Sequence, residues 1–296
     1  MTNSRRVLLV LNTRAQQARI TAAGVVADLQ AADFVVCVAD DDVQAWGEQT
    51  PEHVEIVSAD ECAADGCEVV VVLGGDGTIL RAAERAREAS VPILSVNLGH
   101  VGFLAEAESE DVHAVTNAIV HRRWHVENRM ALDIRVFDGV HEVFRTWSLN
   151  EISVEKAAGS RMIDVLVAVD DRPLSRWGCD GVVASTPTGS TAYAFSAGGP
   201  VMWPEVEAML IVPLSAHALF ARPLVVGPSS VIAFEIAQES SCLLAADSRR
   251  TFDVHGGARI EIRRHAQPVQ LARLASAPFT DRLVAKFALP VDGWRA

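Results

Sequence analysis

The chain has 296 residues, half of them apolar, enough for a large core in one or two domains. Lys and Arg number 26 against 38 Asp and Glu, a net charge of −12, which excludes DNA or RNA as the main partner. Any phosphate ligand must be held by backbone N–H groups, a metal ion or a few local Arg residues.

Residues 7–12 read as a buried strand of the kind found in parallel sheets. Gln16–Ala32, with Ile20, Ala23, Ala27 and Leu29 on one side, reads as a helix, and Phe34–Val38 as a second buried strand. The first βα turn, Asn12–Gln16, lacks G-x-G-x-x-G, so Asp40, Asp41 and Asp42 are expected in a solvated loop rather than at a ribose. The less regular stretch 43–66 holds a short edge strand at 54–57. Val69–Leu73 is a buried strand that runs into Gly74-Gly75-Asp76-Gly77-Thr78, and a helix follows over 79–87 with Ile79, Leu80, Ala83 and Ala86 on one face. A strand at 91–97 leads into Asn97-Leu98-Gly99-His100-Val101-Gly102-Phe103-Leu104, and His113–Val120 reads as a helix. Alternating strands and helices make residues 1–122 an α/β, doubly wound, Rossmann-like domain, with the basic run His121–His125 as the junction.

From 123 to 275 the pattern changes. Ala131–Phe137 alternates with period two and Asp138-Gly139 is a hairpin turn. Strands follow at 143–153, 163–169, 181–185, 209–212, 223–226, 231–237, 242–246, 259–263 and 269–274, which reads as an all-β, sandwich-like second domain. The tail, 276–296, carries Phe279, Leu283, Val284 and Phe287 and is expected to pack back on the first domain.

The only lysines, Lys156 and Lys286, do not stand in a G-x-x-x-x-G-K-[ST] frame, so a Walker A loop is excluded. The absence of His-Arg-Asp and Asp-Phe-Gly excludes a protein kinase. Cys37, Cys62, Cys67, Cys179 and Cys242 are odd in number and form no C-x-x-C; most read as small core residues in a reducing compartment. The first apolar run, Val7–Leu11, is too short for a signal core or a membrane span, and a cytoplasmic protein is expected.

Four stretches stand out against ordinary strand and helix sequence. In Gly74–Thr78 the glycines allow positive φ and close approach of a ligand to the backbone, and the helix start offers N–H groups to phosphate. Asp76 would repel phosphate; it makes sense if it takes a proton from an attacking hydroxyl or holds a metal, and the plainer reading is a capped βα turn. Asn150-Glu151 interrupts an apolar strand with groups suited to an adenine edge and to ribose hydroxyls, or simply ends the strand. Trp177-Gly178-Cys179-Asp180-Gly181 reads as a turn. Ser185–Pro200 offers hydroxyls and N–H groups to ribose and phosphate, with the sole tyrosine, Tyr193, for stacking. Pro187, Tyr193, Phe195 and Pro200 make it a shaped loop instead of a flexible linker.

Gly74-Gly75-Asp76-Gly77-Thr78, Asn97-x-Gly99-His100-x-Gly102-Phe103, Asn150-Glu151 and Asp180-Gly181-x-x-x-Ser185-Thr186-Pro187-Thr188-Gly189-Ser190-Thr191-Ala192-Tyr193, in this order and spacing, resemble the NAD kinase family over nearly the whole chain. The first motif alone is shared with diacylglycerol-type lipid kinases and, loosely, with phosphofructokinases. The ending, Ala277–Leu283 and Gly293-Trp294-Arg295, resembles actinobacterial members.

The resemblance implies ATP + NAD⁺ → ADP + NADP⁺, with phosphoryl transfer to the 2′-hydroxyl of the adenosine ribose, Mg²⁺ as the divalent metal, and ATP or inorganic polyphosphate as donor. It implies Asp76 as general base, with Gly74, Gly75, Gly77 and Thr78 facing the donor phosphates and Arg81 close by. Phe103 would border the adenine pocket, Asn150 bind the adenine edge, Glu151 a ribose, Arg161 the dinucleotide and Asp180 the nicotinamide-side ribose. Thr188, Thr191, Ala192, Tyr193 and Ser196 would line the NAD cleft between the domains. NAD and ATP are the implied partners, with no nucleic acid and no membrane, in a homodimer or homotetramer.

Two places depart from or extend the family pattern. Relatives often carry Asp-Gly-Arg where this chain has Ala246-Asp247-Ser248-Arg249, which puts a tight turn there in doubt. His217, within Val212–Leu219, reads as a ligand or a core residue, and the core is expected. The rival readings are a diacylglycerol-type lipid kinase, which leaves Asn150-Glu151 unexplained, and a non-catalytic NAD(P) sensor of the same fold, against which the intact Asp76 speaks.

Overall fold

A computed structural model describes residues 4–97, 102–104, 107–108, 112–157, 159, 161–274 and 278–291; Gly99, His100, Ala277 and 293–295 lie outside them. The chain begins β1 (Arg6–Leu11), α1 (Gln16–Ala31), β2 (Val35–Ala39), α2 (Asp40–Trp46), β3 (Glu55–Val57), β4 (Val69–Leu73) and α3 (Asp76–Ala86). It continues with β5 (Ile93–Asn97), β6 (Ala107–Glu108), α4 (Val112–Val120) and β7 (His125–Arg129). Strands β3-β2-β1-β4-β5 lie side by side and parallel, with β6 also paired to β5. Each residue of β4 is fully buried, as its unbroken Val-Val-Val-Val-Leu run requires of a strand covered on both faces. Sequence order runs outward from β1 through β2 to β3 on one side and through β4 to β5 on the other. The reversal falls between β1 and β4, where Leu11 pairs with Leu73. In open parallel sheets the crevice at the strand ends beside such a reversal is where ligands bind, and Gly74–Thr78 begins there.

The second part holds β8 (Leu132–Asp138), β9 (His141–Ser148), β10 (Glu151–Lys156), β11 (Ile163–Val169), β12 (Arg172–Cys179), β13 (Gly181–Ser185), α5 (Tyr193–Ser196) and β14 (Met209–Leu214). Then come β15 (Leu224–Val226), β16 (Ile232–Ile236), β17 (Cys242–Ala246), β18 (Arg250–Val254) and β19 (Arg259–Arg264). They form two antiparallel six-stranded sheets, β15-β14-β13-β10-β17-β18 and β12-β11-β16-β19-β8-β9. Ile134, Ile152, Val165, Trp177, Phe234, Leu244 and Ile260, drawn from both sheets, share one buried core, so this part is a β-sandwich. The strand expected at 143–153 is two strands: β9 and β10 belong to different sheets, and Leu149-Asn150 carries the chain across.

The last elements, β20 (Val269–Arg273) and α6 (Phe279–Phe287), return to the first sheet and its surroundings. β20 lies parallel to β5, with β7 on its other side. The compact units are therefore Met1–Asn128 with Val269–Ala296, and Arg129–Pro268. The boundaries expected at 122 and 275 differ from these, because 125–128 and 269–273 give their backbone hydrogen bonds to the first sheet.

Asp40–Asp42 is not a loop but the first turn of α2, where carboxylates meet the positive end of the helix. Asp42 is fully buried. It is paired with Arg81 Nη1 at 2.9 Å and Arg85 Nη1 at 2.7 Å, both from α3. No described helix is long and apolar enough to cross a membrane.

Candidate active site

The β4–α3 turn is built by exclusion of side chains. Helix α3 starts at Asp76, three residues before the expected 79, with Gly75 as its N-cap at φ −88°. None of Gly74, Gly75 and Gly77 has positive φ, so the freedom expected of them is unused. For Gly74 the reason is space: a Cβ there would lie 2.5 Å from Thr78 Oγ1 and 3.3 Å from Asn12 Cβ. Gly75 and Gly77 are exposed and face open space. The N–H groups of Gly75, Asp76 and Gly77 have no backbone acceptor among the described residues, as at any helix start.

Asp76 is half-buried and clamped. Its two oxygens each accept one backbone hydrogen bond, from Phe103 N–H and Leu104 N–H, both at 3.2 Å. Phe103 is 8% exposed and its ring packs on Phe279 and Phe287 of α6, with centroids 6.0 and 5.7 Å apart. Arg282 donates to the Phe103 carbonyl at 3.2 Å, so α6 anchors the segment that grips Asp76. Arg81 is committed to protein groups: besides Asp42, it donates to the Leu11 carbonyl at 2.5 Å, tying α3 to the end of β1.

In the sandwich, the 149–150 crossing leaves ladder hydrogen bonds unmade, and other groups supply them. Asp247 accepts from Leu149 N–H at 2.9 Å and Asn150 N–H at 2.7 Å. Thr186 N–H donates to the Asn150 carbonyl at 2.9 Å, and Thr186 Oγ1 to the Leu149 carbonyl at 2.6 Å. A Cβ on Gly189 would lie 2.1 Å from the Asn150 carbonyl, so the Ser/Thr loop can close on this corner only through glycine. Asn150 is thus fixed by its backbone, and its side-chain amide makes no hydrogen bond among the described residues.

Glu151 is 5% exposed and its Oε2 has no hydrogen-bond partner among the described residues. Burial and then the Asp247 charge push its carboxyl up to about 8, against a backbone hydrogen bond from Tyr193. Burial likewise raises Asp247, which Arg250 at 2.9 Å and the two N–H donors oppose. Asp247 was not among the residues singled out for a site. Only the altered triplet at 247–249 marked it, and nothing in that triplet signals a corner nearly a hundred residues earlier.

Thr188 and Thr191 lie on a short 3₁₀ turn, and Ala192, Tyr193 and Ser196 follow on it and α5. Tyr193, Ser196 and Asp180 meet at one cavity of about 560 Å³, with Glu155, Lys156 and Ser215 also in its wall. Asp180 sits at the bend between β12 and β13, paired with Lys156 Nζ at 2.6 Å, which holds its carboxyl below the ordinary value. Trp177, read as part of the same turn, is instead a fully buried core residue of β12. Arg161 is exposed and is not in the cavity wall. His217 is exposed, not core; its N–H donates to the Gly178 carbonyl at 2.8 Å. The turn at 247–249 does form, with Asp247 at φ 51° and Ser248 at φ 55°.

A carboxylate held at the mouth of an open, glycine-rich helix start needs a hydroxyl to act on and a phosphate donor to act with; the class so defined is a phosphotransferase. The ATP-NAD kinase N-terminal domain model matches residues 7–124 and the ATP-NAD kinase C-terminal domain model residues 149–274. The chain belongs to the NAD kinase family. It is 52% identical to an NAD kinase of Thermobifida fusca over 99% of this chain and 92% of the relative. It is 51% identical to an NAD kinase of Mycobacterium tuberculosis over 100% of this chain and 99% of that one. Among solved structures it resembles an NAD kinase from Archaeoglobus fulgidus in complex with ATP, with a TM-score of 0.71 at 25% identity over 96% of this chain and all of that one. It shares its fold with yeast NADH kinase complexed with NADH, with a TM-score of 0.87 at 22% identity over 100% and 91% of the two chains.

Proposed function

We propose that this chain transfers the γ-phosphoryl group of ATP to the 2′-hydroxyl of the adenosine ribose of NAD. The observation that carries the reading is the clamp on Asp76. Two backbone donors hold the carboxylate, one on each oxygen, and its remaining lone pairs are left for an incoming hydroxyl. As that hydroxyl attacks phosphorus, Asp76 orients it and takes its proton. The free N–H groups of Gly75, Asp76 and Gly77 and the positive end of α3 receive the donor phosphates, with Gly74 and Thr78 shaping the turn. Arg81 holds that turn to β1.

Mg²⁺ suits this donor set as an ion held chiefly by phosphate. No three His, Cys, Asp or Glu side chains gather to cage a metal among the described residues. Mg²⁺ ordinarily takes one or two carboxylates, waters and substrate phosphates; when bound, it neutralises charge on the phosphoryl group in transfer. Asp76 is the carboxylate of the turn that could join it.

In the sandwich unit, Asn150 offers its free amide to the adenine edge and Glu151 its unpartnered oxygen to a ribose hydroxyl. Thr188, Thr191, Ala192, Tyr193, Ser196, Asp180 and the exposed Arg161 take the remainder of the dinucleotide. A homodimer or homotetramer in the cytoplasm is part of the same reading; exposed Leu219, Phe220 and Val225 are apolar surface for such contacts, and light scattering tests it.

The test is a coupled NADP⁺-formation assay with NAD⁺, Mg²⁺ and ATP, repeated with polyphosphate. Asp76→Asn is expected to lose about 10²–10⁴-fold in kcat while calorimetry still detects NAD⁺ binding. Turnover at the wild-type rate in that variant would remove Asp76 from its role. NAD⁺ binding without turnover by the wild type under any donor would leave a sensor.

A further inference from the structure

The cavity at Asp180 carries an uncompensated negative charge. Its wall holds two carboxylates, Glu155 and Asp180, and one ammonium, Lys156. Lys156 pairs with Asp180 at 2.6 Å. Glu155 has no cationic partner among the described residues; its Oε2 accepts a hydrogen bond from Tyr193 Oη at 3.2 Å, which fixes the anion beside the aromatic ring. Pro213 and Leu214 supply apolar wall.

An anion at the hydroxyl end of a tyrosine ring repels phosphate and attracts a flat cation. The parts of NAD⁺ are a neutral adenine, two neutral riboses, two anionic phosphates and one cationic pyridinium ring. The pyridinium alone matches the charge of this cavity, and about 560 Å³ accommodates it with its ribose. Reduction to NADH, by hydride addition at C4, removes that positive charge along with the ring's aromaticity, so a cavity that binds by charge also distinguishes the two redox forms.

Resting on the NAD kinase reading above, we propose that Glu155 is a specificity residue that makes this cavity select the oxidised dinucleotide over the reduced one. Asp180 and Lys156 cancel each other in this respect, and Tyr193 holds Glu155 in place and offers its ring to the cation. Glu155 touches no reacting atom; its effect is on substrate binding.

The experiment measures kcat/KM for NAD⁺ and for NADH, with saturating ATP and Mg²⁺, on the full chain and on Glu155→Gln, Glu155→Asp and Lys156→Met. The wild type is expected to favour NAD⁺. In Glu155→Gln the preference falls about tenfold, the size of one partly desolvated cation–π or ion contact, through KM for NAD⁺ and not through kcat. Glu155→Asp restores most of it. Lys156→Met leaves Asp180 uncompensated and shifts the preference further toward NAD⁺, so the two variants move the ratio in opposite directions. A loss of folding would not move the ratio, and Glu155→Ala decides the matter if Glu155→Gln does not fold. An NAD⁺/NADH ratio unchanged in Glu155→Gln overturns the role of Glu155, whatever Lys156→Met does, and leaves the kinase reading intact. Absence of phosphorylated product from either dinucleotide with the wild type overturns both.

Discussion

Asp76 and Gly102 are in a contact that admits no side chain: a Cβ on Gly102 would lie 2.5 Å from Asp76 Oδ1 and 3.1 Å from its Cγ. The neighbouring N–H groups of Phe103 and Leu104 hold the same carboxylate. Gly102→Ala must therefore push the carboxylate off its two donors. Because a displacement of about 1 Å costs on the order of 10²-fold in rate, the variant is expected to lose that much kcat with KM for NAD⁺ little changed. Initial-rate kinetics check it, with a circular-dichroism melt to show that the fold persists. Unaltered kcat would mean that Asp76 does not need this clamp.

Glu151 makes stability depend on pH in a defined direction. Its carboxyl is raised from an ordinary 4.5 to about 8 in the folded chain, chiefly by burial. The folded state thus keeps a proton that the unfolded state has released, and stability is full below 4.5 and is lost as pH rises through about 8. Glu151→Gln removes this titration. The stability of the variant relative to wild type should rise by up to about 1.4 kcal/mol per pH unit within that window and stay flat outside it. Urea denaturation of both proteins from mildly acid to mildly alkaline pH reads the difference. Parallel curves would refute the shift.

What the sequence made legible follows from the range of the physics involved. Strand β4 and the glycine turn after it were readable because both signals are local: an unbroken apolar run and a cluster of small residues. The sandwich was readable from period-two alternation. The corner at Leu149-Asn150 was not, because Asn150-Glu151 reads equally as a polar pair within one strand or at its end, and it is the pairing of β10 with β13 and β17 that separates it from β9. Asp42 was misread for the same reason. A run of three aspartates looks solvated until Arg81 and Arg85, some forty residues away, arrive to bury one of them. The grip of Phe103 and Leu104 on Asp76 likewise depends on backbone that local sequence does not describe.

Ser248 occupies a backbone conformation that favours glycine. It sits at φ 55° in the β17–β18 turn, after Asp247 at φ 51°. A non-glycine residue in the left-handed region costs about 1–2 kcal/mol, against about 0.4–1 kcal/mol of extra chain entropy that glycine loses on folding. Ser248→Gly is therefore expected to stabilise the protein by about 0.5–1 kcal/mol, seen as a higher urea midpoint at unchanged slope. Asp247 keeps its bonds to Leu149 and Asn150, so KM for NAD⁺ should not change. A destabilised variant would show that the Ser248 side chain has a role outweighing its strain.

Asp42 is the buried counter-ion of α3, the helix that begins at Asp76. Its side chain is fully buried between Arg81 and Arg85, and Arg85 itself is 3% exposed. Asp42→Ala leaves one guanidinium buried with only Asp41 near it and releases Arg81 from its fixed position against Leu11. Removing one partner of a buried ion pair ordinarily costs about 3–5 kcal/mol, and Asp41 retains part of that, so a loss of about 3 kcal/mol is expected by urea titration. Asp42→Asn keeps the shape but not the charge and should fall between the two. Because Arg81 ties α3 to the end of β1, turnover should fall in the folded fraction of both variants, while NAD⁺ binding should not. A variant of wild-type stability would mean that Asp41 alone suffices, and that the buried carboxylate is dispensable to the turn it underlies.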